Sequence, residues 1–74
     1  MKPTPRLADR MGPAEYVFSR GAPSRAAAEE RIEGYIAAGE VSEAEKPRAV
    51  SYLNTDGARR WAVVLTDTGL AAYT

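Results

Sequence analysis

A chain of 74 residues with ten basic and ten acidic side chains, and neither cysteine nor histidine, is the size of one small domain. The missing residue types exclude a disulfide framework, thiolate and imidazole metal sites, and any catalytic constellation built on histidine or cysteine. Of the 33 hydrophobic residues 14 are alanine, which leaves 19 side chains large enough to build a core, so a lone copy is expected to be marginally stable.

The longest apolar run, Trp61 to Leu65, is far too short to span a bilayer. Residues 1–14 carry Lys2, Arg6 and Arg10 without an apolar stretch, so a cytoplasmic chain with no membrane partner is the expectation. The charges are sorted along the chain: residues 1–25 carry +3, residues 26–45 carry −5 and residues 46–74 carry +2. A neutral total argues against an obligate nucleic-acid coat and allows a two-sided molecule with an acidic flank.

Residues 1–13 read as a flexible, proline-rich arm, because Pro3, Pro5, Gly12 and Pro13 prevent a long regular element. Within it Leu7 and Met11 share one face of a helical turn. Residues 14–74 then form a single domain. Glu15 to Arg20 has strand composition, with Tyr16 and Phe18 on one side and Val17 on the other. Gly21, Ala22 and Pro23 break it.

Ser24 is placed to cap a helix whose Ala28, Ile32, Tyr35 and Ile36 fall within a stripe of about 100°. Glu29, Glu30, Glu33 and Glu40 gather on a neighbouring face. Gly39 stands where a left-handed residue ends such a helix. Ser42 and Glu45 have capping-box spacing, and Pro47 leaves room for little more than one turn after them.

Asp56-Gly57 between two β-rich runs predicts a hairpin with a two-residue turn. That turn sets Tyr52 opposite Trp61 and Val50 opposite Val63, with Leu65 further along the same face. Leu53, Ser51 and Ala49 then share the other face with Arg60, Ala62 and Val64. Asp67 or Thr68 caps a short terminal turn in which Leu70 and Tyr73 pack back.

The order strand, helix, strand, strand predicts a small α+β fold, β-α-β-β, with a three-stranded sheet and one helix packed on one face. The third strand is expected between the other two. The expected core is Tyr16, Phe18, Ile32, Tyr35, Ile36, Val50, Tyr52, Trp61, Val63 and Leu65.

Three surfaces are candidates for function. The sheet face away from the helix would expose Val17, Leu53 and Val64, a partly apolar surface suited to self-association or partner docking, unless the N-terminal arm folds over it through Leu7 and Met11. The acidic flank of Glu29, Glu30, Glu33 and Glu40 could meet a basic partner. Arg59 and Arg60 beside the hairpin turn, with Arg48 and Lys46 across the ladder, could grip phosphate. Trp61, next to them, is turned into the core by the expected pairing.

Two partial resemblances accompany these readings. Asp56-Gly57-Ala58-Arg59-Arg60-Trp61, running on to Leu65-Thr66-Asp67-Thr68-Gly69, resembles the wing of winged-helix regulators of the multiple-antibiotic-resistance type. That resemblance implies DNA binding, with Arg59 and Arg60 on the wing and residues 42–53 as the recognition helix. The sequence departs from it at Pro47, which falls inside that helix, and at Val50, Ser51 and Tyr52, which favour a strand. Ser24-Arg25 to Glu29-Glu30, following a strand, is similar to the first half of sporulation-related peptidoglycan-binding repeats.

The expectation drawn from these residues is a non-enzymatic interaction module: an inhibitor, adaptor or accessory factor of the kind that phages and mobile elements also encode. It would act through the acidic helix flank and the open sheet face. Its partner would be a protein, a second copy included, with no metal and no cofactor. The alternative is a small winged-helix-like DNA- or RNA-binding protein using Arg48, Arg59, Arg60 and Lys46.

Overall fold

The computed structural model describes residues 10–68; Leu7 of the arm and the terminal turn at Leu70 and Tyr73 lie outside them. Strand β1 (Glu15–Ala22) leads into helix α1 (Arg25–Ala37), a single 3-10 turn (Glu43–Glu45), strand β2 (Arg48–Leu53) and strand β3 (Arg59–Thr66). The sheet order is β1-β3-β2 and both pairings are antiparallel, so the last strand lies between the other two, as expected. The small α+β fold with one helix on a three-stranded sheet is the architecture anticipated from the sequence.

Local chemistry accounts for each boundary. Ser24 is the N-cap of α1, its hydroxyl accepting the Ala27 N–H at 3.1 Å. At the other end the Gly39 N–H donates to the Ile36 carbonyl and the Glu40 N–H to the Tyr35 carbonyl, at 3.1 and 2.9 Å. This is a Schellman arrangement, and it needs the left-handed φ of +76° that Gly39 adopts. Ser42 and Glu45 form the expected capping box, and the turn they close ends at Lys46 and Pro47.

The helix covers one face of the sheet. Ala22, Ala28, Val41, Val63 and Leu65 form its buried centre, with Ile32, Tyr35, Ile36, Ala49 and Trp61 packed around it. Tyr16 and Phe18 lie at the β1 edge of this layer and stay about two-fifths exposed. They are peripheral, not central as the expected core had them. The Phe18 ring still meets Tyr35 edge-on at 4.9 Å.

The hairpin pairing differs by one residue from the expected one. Ser51 stands opposite Trp61, Val50 opposite Ala62 and Tyr52 opposite Arg60. The turn causes the shift. The Gly57 N–H donates to the Asn54 carbonyl at 2.9 Å, and the Asn54 N–H donates to Ala58 at 2.8 Å. Thr55, Asp56 and Gly57 therefore make a three-residue loop. Gly57 takes the left-handed position (φ +85°) and Asp56 Oδ1 accepts the Ala58 N–H.

One residue of slip exchanges the faces of β2. Val50 and Tyr52, expected under the helix, lie on the far face. Ala49, Ser51 and Leu53 lie on the helix side. Residues 48–53 are a strand, so they do not form the recognition helix that the winged-helix resemblance implies.

Candidate functional site

The far face of the sheet is closed along its centre. Val50, Ala62 and Val64 are buried, Val64 completely. Val64 is flanked by Val17 of β1 and Arg48 of β2. Arg48 reaches across the central strand to Glu15, with Nε and Nη2 donating to its two carboxylate oxygens at 2.7 and 2.6 Å. The same Nη2 donates to the Arg10 carbonyl, while Glu15 accepts the Gly12 N–H at 2.6 Å. Residues 10–12 are thereby drawn over this face.

The surface expected from Val17, Leu53 and Val64 is consequently not assembled. Val64 is inaccessible and Val17 is half-buried beside it. Leu53 is 45% exposed but belongs to the helix side, at the hairpin end. The bidentate contact with Arg48 holds the Glu15 carboxyl below its usual range, with the Gly12 N–H adding to the effect against the cost of burial.

Backbone groups that the sheet leaves unpaired collect instead at the outer edge of β2, where Leu53 is exposed and Ser51 is buried. The Asn54–Ala58 bond marks that pair as hydrogen-bonded, and an antiparallel ladder alternates. Arg48, Val50 and Tyr52 therefore bond to β3. The N–H and C=O groups of Ala49, Ser51 and Leu53 point outward, and among the described residues no backbone group pairs with them.

Beside this edge runs a groove between α1 and β2. One part, about 460 Å³, is lined by Arg25, Glu29, Ile32 and Glu33 of the helix and by Pro47, Arg48 and Ala49. It continues into a second part of about 410 Å³ at Ser51 and Trp61, with Arg10 and Arg25 on its walls.

Four arginines mark the second part. Arg10 and Arg59 both donate to Ser51 Oγ, at 3.4 and 3.3 Å. Arg25 lies 5.8 Å from the centre of the Trp61 ring and pairs with Glu29 at 3.3 Å. Arg48 contributes to the groove wall while its head is held by Glu15 on the other face. The Arg25–Glu29 pair is exposed at both ends and is worth only about 0.3–0.5 kcal/mol, so either group can readily exchange partners.

The residues expected to act together are divided by this arrangement. Of the acidic flank, Glu29 and Glu33 enter the groove, whereas Glu30 and Glu40 stay outside it. Of the expected phosphate-binding set, Arg59 lies on the helix side and Arg60 and Arg48 on the far side. Lys46 is exposed at the 3-10 turn. Sequence reasoning missed Arg10, Arg25, Ser51 and the outward edge of β2; the placing of Ser51 and of that edge depends on the pairing that the hairpin loop sets.

Compared with protein-family models, with curated proteins and with solved structures, the chain matches none. No helix among the described residues is long and apolar enough to cross a membrane, and no group of metal-ligating side chains occurs among them.

Proposed function

We propose that the protein is a non-enzymatic protein-interaction module that takes an extended segment of its partner along the outer edge of β2. The observation that carries this reading is the outward row of backbone groups at Ala49, Ser51 and Leu53, bordered by the groove under α1. A fourth strand added there would lie about 4.8 Å from β2. Its main chain would supply affinity, and alternate side chains would drop into the groove and supply selectivity. A bare strand edge is normally guarded against non-specific pairing, and here the Arg10 side chain, bonded to Ser51 Oγ, lies beside it.

Substituting Leu53→Pro removes one outward N–H and no ladder bond. Peptides selected from a displayed random library on the native protein should show an alternating, β-forming pattern. They should lose binding to the Leu53→Pro protein and keep it on Leu53→Ala. Peptides that bind the proline variant as well as the native protein would reject strand addition at this edge.

A second reading, nucleic-acid binding, draws on the Arg25–Trp61 contact with Arg10 and Arg59 close by. It requires salt-dependent binding of DNA or RNA that weakens when Arg10 and Arg59 are both changed to alanine.

A further inference from the structure

The groove beside β2 holds charges of both signs at its Pro47 end and only basic ones at its Ser51 end, and this imbalance bears on the segment it accepts. At the Pro47 end Glu29 and Glu33 stand with Arg25 and Arg48, and Glu29 is paired with Arg25 at 3.3 Å. At the Ser51 end Arg10 and Arg59 converge on one hydroxyl oxygen. Two guanidinium groups sharing a single neutral acceptor repel each other, and among the described residues neither has a carboxylate within salt-bridge distance. Ser51 is only 6% exposed, so the hydroxyl is fixed and holds both heads in place.

We infer that the Ser51 end is a carboxylate subsite, in which a glutamate or aspartate of the docked segment accepts hydrogen bonds from Arg10 and Arg59. This inference rests on the strand-addition reading. In an added strand, the residues opposite Ala49 and Ser51 turn their side chains toward the helix side, about 7 Å apart. The recognised segment therefore has an acidic residue opposite Ser51.

The test uses the full chain and two blocked heptapeptides, Thr-Val-Lys-Val-Glu-Val-Thr and its counterpart with glutamine in place of glutamate. Binding is followed by amide chemical shifts of Ala49, Ser51 and Leu53. The glutamate peptide should bind about tenfold more tightly, as a charge-assisted hydrogen bond implies. That preference should vanish in Arg59→Gln and, independently, in Arg10→Gln, which lies outside the sheet. Equal binding of both peptides to the native protein would overturn the subsite and leave strand addition standing. Binding of neither would overturn both. Displacement of the glutamate peptide by a short oligothymidylate at a lower concentration than unlabelled peptide requires would assign the arginines to phosphate and overturn the carboxylate subsite.

Discussion

Glu15 and Arg48 show how one pair of side chains can close a surface. The pair crosses the central strand, satisfies the Gly12 N–H and the Arg10 carbonyl, and lies over Val64. Because the Glu15 pKa is lowered on folding, its contribution is complete above the ordinary carboxylate range and is lost as pH falls through the lowered value. The raised pKa of Arg48 adds nothing to this, since the guanidinium stays charged throughout the accessible range. Glu15→Gln should therefore cost about 1 kcal/mol at pH 7. The difference from the native protein should narrow as pH drops below 4.5, as thermal melts across that range would show. A difference that stays constant down to the acid transition would contradict the assignment.

At the scale of the elements, the hairpin loop decides most. Gly57 in the left-handed region turns Asp56-Gly57 from the centre of a two-residue turn into the end of a three-residue one. The faces of β2 are exchanged, and so is the parity of its backbone groups. Tyr52→Pro removes a bond to β3 and is expected to abolish cooperative unfolding, whereas Leu53→Pro should retain it, both read by circular dichroism. The two-residue turn gives the opposite order, so these two variants discriminate between the pairings without a structure. Helix α1 depends less on its surroundings, because Ser24, Ser42, Glu45 and Gly39 determine its ends and those of the following turn through contacts a few residues apart.

The whole molecule is a slab of 38 × 29 × 14 Å, with one helix on one side of the sheet. A slab with a single helical layer leaves the second sheet face in need of cover, and here its centre is dry. Val64→Glu would bury a second carboxylate beneath the Glu15–Arg48 pair, where it competes with Glu15 for one guanidinium, at several kcal/mol. The expected result is loss of the folded dichroism signal together with the melting transition. A folded variant whose light-scattering mass alone changes would mean that this face is an association surface. The proposed docking edge is located at the same scale: the groove lies where α1 packs beside β2, along Ala49 and Ser51.

How much was legible in the sequence follows from the range of the interactions involved. Caps, the Schellman end, the strand composition of residues 15–20 and the helical stripe are short-range, and each was read from the residues that make it. Trp61, Val63 and Leu65 face the helix as their alternation required. Cover of the far face by the arm was one of two expected readings, but the Arg48 contacts that fasten residues 10–12 there were not legible, because they join residues 33 and 38 positions apart. Nor was the Ser51 site, whose two donors lie 41 positions upstream and 8 downstream.

Local chemistry in the chain determined which segments became helix, strand and turn, since caps and alternation act within a few residues. Only the tertiary structure decided which side of β2 met the helix. Two hairpin loops one residue apart in length satisfy the same local rules, and the choice between them settles which backbone groups the edge presents.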